Sequence, residues 1–150
     1  MYLTFTMLAE IFPHSTGIKE QNLSFHTVSD QGEDPQPRGL FIPLWNNSQD
    51  LLKAITNGAV AAIWVKDVPV PAYTPNHFPL FYTKNLEGDV FRLMKEYIQL
   101  LKQEDERETM SNFLFIDQKI LNEKIQTYDK AVIFNDLLPL AQTLMDLRRG

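Results

Sequence analysis

The chain has 150 residues, 44% of them hydrophobic and 22% charged, with no cysteine and a formal net charge of −5 at pH 7. The length and apolar fraction suit one globular domain, and the missing cysteines exclude disulfide frameworks, thiolate nucleophiles and Cys-ligated metal centres. The acidic balance argues against a nucleic-acid partner, which would need a basic face, and a reducing, cytoplasmic location is expected.

The first predicted element is a helix over residues 3–12, where apolar side chains recur at helical spacing until Pro13 ends the pattern. This segment contains Glu10, lacks a basic leader and is much shorter than the ~20 apolar residues that a membrane span requires. No later stretch approaches that length. We therefore expect a soluble protein that is not exported and has no membrane partner.

A strand, a loop and a second strand are predicted next. Residues 22–30 alternate apolar with polar side chains, which predicts a strand with one solvent-exposed face. Residues 31–39 contain two Pro and two Gly, a density typical of a loop. The apolar run over 40–45 predicts a buried strand, in which Pro43 cannot donate a ladder hydrogen bond.

The following residues predict a helix and another strand. Residues 46–48 (Asn-Asn-Ser) are predicted to cap a helix over 49–57, which Gly58 ends, and the apolar residues 59–65 predict the next strand. A strand, a helix and a strand in this order form a βαβ unit, so the two strands are expected to be parallel.

Four prolines between residues 69 and 79 predict an extended connection, because neither a helix nor a central strand tolerates them. A short strand over 80–83 follows, and then the longest helix, with Asn85 as its N-cap. The charged residues 102–108 are the clearest candidate boundary in the chain.

Beyond this boundary the alternation repeats in miniature. The predicted elements are a strand over 113–116, a helix over 118–128, a strand over 131–134 and a helix over 138–148. We therefore expect an α/β fold with a first domain over 1–103 and a βαβα extension over 109–150, which either joins the first sheet or forms a small lobe.

Motifs of known chemistry are scarce in this sequence. The three histidines, His14, His26 and His77, lack the spacing of metal ligands, and the glycines are never closer than seven residues apart. A Walker A loop or a dinucleotide fingerprint needs closely spaced glycines around phosphates, and no Gly-x-Ser-x-Gly elbow is present either. We therefore expect no metal and no cofactor.

Several sequence blocks carry a resemblance to a known family. Ser29-Asp30 is followed by Pro-Arg-Gly-Leu-Phe-Ile-Pro-Leu at 37–44, by Gly-Ala-Val-Ala within 54–64, and by a strand over 79–85 leading to a helix that reaches Tyr97. In this order and spacing the chain resembles the N-terminal domain of the Mur ligases, most of all the branch that adds D-Ala-D-Ala. These cytoplasmic enzymes add amino acids to UDP-N-acetylmuramic acid during peptidoglycan synthesis.

The resemblance implies a ligand site, because in this family the domain holds the uridine end of the UDP-sugar. The family uses a Ser-Asp-Ser-Arg segment and the loop after the Leu-Phe strand. Gln31 and Gly32 stand where the family has Ser and Arg, so those arginine donors are lost or moved. Arg38 lies in the same loop and could replace them. The candidate ligand-binding residues are Ser29, Asp30, Arg38, Asn46, Asn47 and Ser48.

The Mur ligases continue into an ATP-binding domain that begins with a glycine-rich phosphate loop. Here the residues after the strand at 113–116 are Asp117-Gln118-Lys119, without glycine. A ligase that cannot bind ATP cannot form the acyl-phosphate of the family's reaction. The prediction is therefore a free-standing, non-catalytic binding or regulatory module linked to peptidoglycan precursors, with a UDP-MurNAc-type ligand or a protein partner of cell-wall synthesis.

Two alternatives stay open. The first is a small enzyme that uses carboxylates at the carboxyl ends of strands, where open α/β sheets bind their ligands. The second is a domain that serves only protein–protein interaction or oligomerisation. The carboxylates of the enzyme hypothesis are Asp30, Asp34, Asp117 and Asp136.

Overall fold

A computed structural model of the chain describes residues 1–103, 109–115 and 128–149. The described strands are β1 (Leu3–Thr4), β2 (Ser15–Thr16), β3 (Ser24–Phe25), β4 (Thr27–Ser29), β5 (Gly39–Phe41), β6 (Ala59–Val65), β7 (Leu80–Thr83) and β8 (Asn112–Leu114). The described helices are α1 (Phe5–Ile11), α2 (Leu51–Thr56), α3 (Leu86–Gln103) and α4 (Tyr128–Arg149).

A mixed sheet of six strands forms the centre of the molecule, in the order β2-β7-β6-β5-β4-β8. The five strands from β7 to β8 are parallel to their neighbours, and β2 pairs antiparallel with β7 at one edge. β1 and β3 form a separate antiparallel pair. The predicted α/β class is confirmed, and so is the parallel pairing of β5 with β6.

Both faces of the sheet are covered, which explains why β6 has an almost continuous apolar sequence. Ala61 and Ile63 belong to the larger core, which also contains the buried residues of α1, α3 and α4. Ala62 and Trp64, which alternate with them, belong to a smaller core with Leu51 of α2. Among the described helices, α1, α3 and α4 therefore cover one face of the sheet, and α2 covers the other.

The apolar stripe that begins at Leu86 produces α3, and its predicted start is confirmed. The expectation that this is the longest helix is wrong, because α4 has 22 residues and α3 has 18. Asn85 Oδ1 accepts the backbone N–H of Gly88 at 3.2 Å, as an N-cap does, and Glu87 and Asp89 favour the positive end of the helix. The buried face of α3 is formed by Val90, Leu93, Met94, Tyr97, Ile98 and Leu101.

Gly58 ends α2, as predicted, and leads the chain directly into β6. Its φ is +116°, and a Cβ at this position would lie 2.8 Å from the backbone oxygen of Gln36. A larger residue would therefore be strained both by its own backbone and by the neighbouring loop.

The predicted strand over 22–30 differs from the structure in two ways. It is divided at His26 into β3 and β4, and the expectation of a solvent-exposed face is wrong, because Thr27, Val28 and Ser29 are all buried. The loop after β4 covers the second face, where the Thr27 hydroxyl donates to the Pro37 carbonyl at 3.0 Å.

The carboxyl-terminal residues contribute a strand to the same sheet. β8 corresponds to the strand predicted over 113–116 and pairs in parallel with β4. The strand predicted over 131–134 is wrong, because these residues lie inside α4, which also includes the helix predicted over 138–148. A short apolar run fits a strand and a buried helix equally well by periodicity, and only its neighbours decide between them. The helix predicted over 118–128 lies outside the described residues except for its last position.

Tyr97 and Ser111 hold β8 against α3 and the first residues of the chain. The Tyr97 hydroxyl donates to the Met1 carbonyl at 2.6 Å and accepts the Ser111 N–H at 2.9 Å. Ser111 Oγ accepts the Leu3 N–H at 2.9 Å and donates to the Phe25 carbonyl. Burial raises the pKa of the Tyr97 hydroxyl above its usual range.

Candidate functional site

The carboxyl ends of β4 and β5 lie side by side, because the strands are parallel and Ser29 is level with Phe41. Asp30 directly follows β4, and Asn47 comes a few residues after β5. The structure therefore brings together the predicted residues of these two loops at one edge of the sheet, which is where ligands bind in open α/β proteins.

Asp30, Trp45 and Asn47 tie the two loops to each other. Asp30 is completely buried, and its Oδ2 accepts the indole N–H of Trp45 at 2.9 Å. The Asn47 side chain donates to the Asp30 carbonyl at 3.0 Å and accepts the Trp45 backbone N–H at 3.2 Å. Because Asp30 and Asn47 are shielded from water, solvent does not compete for these hydrogen bonds, and they join the two loops to each other.

The sequence also predicted Ser29 for the site, and the structure places it against the loop that follows β4. Its Oγ accepts the Gln31 N–H at 3.0 Å and lies 3.0 Å from Asp34 Oδ2. Gln36, which is fully buried, donates from Nε2 to the Gln31 carbonyl at 2.9 Å. Polar groups of this loop thus bond to one another, to Ser29 and to Asn57 at the end of α2.

Asn46 and Ser48 are the predicted residues that reach solvent at this edge. Asn46 is exposed and has φ of 58°, a left-handed conformation that asparagine tolerates better than most residues. Ser48 is partly exposed and begins a 3-10 turn before α2. The expected capping by residues 46–48 is wrong, because the Asn47 side chain at the start of that turn makes no capping bond and contacts Asp30 instead.

Arg38 does not join the other predicted site residues. It precedes β5, its carbonyl accepts the His26 N–H at 3.1 Å, and its side chain is exposed. Asp30 lies four residues further along β4 than His26, so the Arg38 backbone is roughly 13 Å away along the strands. Arg38 thus starts from the opposite end of these strands, and the prediction that it supplies a cation beside Asp30 is wrong.

Two residues that bond within these loops are not predicted as site residues. The sequence places Trp45 in a buried strand, although an indole N–H near the end of an apolar run needs a hydrogen-bond partner. Gln36 stands between two prolines, where nothing in the sequence shows that its side chain is buried.

No family model matches this chain, and neither does any curated protein. Within residues 1–103, 109–115 and 128–149, no group of three His, Asp or Glu side chains is placed to hold a metal ion. In the same ranges no helix has the length and apolar character needed to cross a membrane.

The carboxylates of the enzyme hypothesis are not assembled by the described structure. The prediction that Asp136 lies at a strand end is wrong, because this residue lies on α4. Asp117 lies outside the described residues. Asp30 and Asp34 do lie near each other in the chain, and both accept or contact neighbouring side chains. The described site is a polar surface formed by two loops that hydrogen bonds join to each other.

Proposed function

We propose that this chain is a non-catalytic binding module related to the UDP-sugar-recognition domain of the Mur ligases. Its ligand contacts the loops after β4 and β5. The observation that supports this most is the network of Asp30, Trp45 and Asn47, which joins these two loops by buried hydrogen bonds.

A rigid pair of loops favours binding, because little conformational entropy remains to be lost when the ligand arrives. Asn46 and Ser48 stand on this support and present polar groups to solvent. Amide and hydroxyl groups can both donate and accept hydrogen bonds, as the recognition of a base or a sugar requires.

The state of the carboxylates supports binding over acid–base chemistry. A general acid or base must reach its substrate, either directly or through one water molecule. Asp30 is completely buried and accepts the Trp45 indole N–H, and Asp34 contacts the Ser29 hydroxyl. These carboxylates hold the loops together.

Calorimetric titration with UDP-N-acetylmuramic acid tests the proposal, with UDP-N-acetylglucosamine as a second ligand. We expect saturable heat, and about fivefold weaker binding for Asn46→Gly and for Ser48→Ala, which each remove one exposed polar contact. Glycine keeps the backbone conformation of residue 46 without strain.

Arg38→Gln is the matched control, since Arg38 is also an exposed polar residue next to β5 but lies at the other edge. Its binding should equal that of the unmodified chain. Absence of heat at millimolar concentrations of both UDP-sugars would overturn the proposed ligand class, and a loss of binding in Arg38→Gln would overturn the proposed location.

A further inference from the structure

A concavity lies at the carboxyl ends of β6 and β7, on the same side of the molecule as the loops after β4 and β5. It is open to solvent and has a volume of about 280 Å³. Its polar and aromatic lining consists of His14, Lys66, Tyr82, Thr83, Lys84 and Asp89, with Ile11 and Pro13 beside them. None of these residues belongs to the site after β4 and β5.

The two lysines are placed side by side by strand pairing. Val65 and Thr83 are partners on the parallel strands β6 and β7, and Lys66 and Lys84 each come one residue later. The pairing continues past the strand end, since the Lys66 N–H donates to the Thr83 carbonyl at 2.9 Å. Two like charges at neighbouring positions repel each other and thereby favour a bound anion.

Neither lysine is neutralised within the part of the chain that the structure describes. Both side chains are exposed, and no carboxylate oxygen described lies within 4.0 Å of either ammonium group. Lys53, on α2, is different, because it lies 3.7 Å from Glu33 and 4.0 Å from Asp50. The pocket thus presents two lysines and one acidic side chain, Asp89, in a chain whose net charge is −5.

Asp89 adds a hydrogen-bond acceptor to this pocket. Its Oδ2 accepts the Thr83 hydroxyl at 2.5 Å, and that hydroxyl oxygen accepts the Asn85 N–H at 3.0 Å. Among the described residues, no donor contacts the other carboxylate oxygen of Asp89. A ligand with a hydroxyl group can donate to it, and the half-buried ring of Tyr82 supplies an apolar surface.

We propose that this pocket binds a small phosphorylated sugar or polyol. The phosphate lies between the ammonium groups of Lys66 and Lys84, and a ligand hydroxyl donates to Asp89. The volume is slightly below the ~300–1,000 Å³ of sites for drug-sized molecules, which favours a ligand smaller than a nucleotide-sugar. This inference does not rest on the proposed function.

Titration of ¹⁵N-labelled protein with glucose 6-phosphate, inorganic phosphate and glucose tests the proposal by NMR. Glucose 6-phosphate should shift the backbone amides of Lys66, Thr83 and Lys84 saturably. Inorganic phosphate should shift the same amides with about tenfold weaker affinity, because it lacks the hydroxyl contact. Glucose alone should shift none of them at the same concentrations.

Charge variants assign the phosphate contact. Lys66→Gln and Lys84→Gln should each weaken glucose 6-phosphate binding about fivefold, and binding should also weaken at high ionic strength. Lys53→Gln is the matched control and should bind like the unmodified chain, since Lys53 lies outside the pocket. Asp89→Asn should remove most of the preference for glucose 6-phosphate over inorganic phosphate.

Two results would overturn the proposal. The first is a set of amide shifts that do not saturate and that decrease as much in Lys53→Gln as in the pocket variants. This result would mean that anions are attracted to lysines without a specific site. The second is equal affinity of the unmodified chain for inorganic phosphate and glucose 6-phosphate, with the same two affinities in Asp89→Asn. This result would mean that the sugar makes no contact with the pocket. UDP-sugar binding to the loops after β4 and β5 is measured separately, so either proposal can fail alone.

Discussion

The parallel strands end in two groups of polar side chains that differ in burial and bonding. One group follows β4 and β5, and the other follows β6 and β7. After β4 and β5, Asp30 and Asn47 are buried and bonded to neighbouring groups. After β6 and β7, Lys66 and Lys84 are exposed, and the described residues place no carboxylate within 4.0 Å of them. We call these the closed half and the open half.

The difference follows from what covers each half. The loop from Gln31 to Arg38 lies over β4 and buries Gln36, whose side chain donates to the Gln31 carbonyl within the loop. The residues after β6 and β7 have no such cover, so their charges stay hydrated. The free energy of unfolding should therefore depend more on the closed half. The electrostatic attraction between the protein and an anionic ligand should depend more on the open half.

Asp30→Ala tests the closed half most severely. We expect the free energy of unfolding to fall by about 2 kcal/mol, because the Trp45 indole N–H loses its acceptor in a partly buried place. Urea unfolding measures the change, with the exposed Glu20→Ala as control, for which we expect less than about 0.5 kcal/mol. Equal stability of Asp30→Ala and the unmodified chain would contradict the structural role of the network.

Asn47→Ala should have a smaller effect on the same half, about 1.5 kcal/mol, since two neutral hydrogen bonds are lost. The neighbouring Asn46→Gly serves as control and should change stability by only a few tenths of a kcal/mol, because glycine adopts φ of 58° without strain. If the two variants were equally destabilised, the burial of Asn47 would not be the cause.

Tyr97→Phe tests a buried polar cluster away from this edge. At pH 7 we expect a loss of about 1 kcal/mol, as Met1 and Ser111 lose their partner. The pKa of Tyr97 is raised by burial, so above about pH 10 the unfolded chain ionises this hydroxyl while the folded chain keeps its proton.

Rising pH therefore removes stability from the unmodified chain and not from the phenylalanine variant at this position. The difference in the free energy of unfolding between the two proteins should shrink above about pH 10. Urea titrations up to pH 11 measure this difference, since pH 11 is about one unit above the pKa of a free tyrosine. A difference that stays constant over this range would show that burial does not raise the pKa of Tyr97.

The double change Lys66→Gln with Lys84→Gln should affect stability least. We expect less than about 0.5 kcal/mol, with a small gain if the two charges repel each other in the folded chain. The same protein should lose its affinity for glucose 6-phosphate. A large loss of stability would show that the open half contributes to folding and would remove the contrast between the two halves.

The elements with strong periodicity could be predicted from the sequence. β6 and α3 were located within a residue or two, because a seven-residue apolar strand and an 18-residue amphipathic helix each bury a continuous surface. The burial of β4 on both faces could not be predicted, since the covering segment is a loop without a period. The strand predicted over residues 131–134 is wrong because a run of four apolar residues is too short to show whether its periodicity is that of a strand or of a helix.

The candidate site was predicted in part. The resemblance points to Asp30 and Asn47, but both bond to Trp45, whose side chain the apolar pattern assigns to the core. The pair of Lys66 and Lys84 was missed, although each directly follows a predicted strand. A proline-rich connection does not show that two strands are neighbours, and only the pairing of β6 with β7 brings the lysines together.

The position of β8 has a consequence for how the sheet is completed. β4 has β5 on one side, and its other side is paired with residues 112–114, more than eighty positions later in the chain. A fragment ending near residue 103 would leave the backbone groups of β4 exposed along a whole edge, a common starting point for aggregation. During synthesis, the long helix α3 must be made before the strand that protects β4, so the chain is vulnerable until residue 114 has emerged.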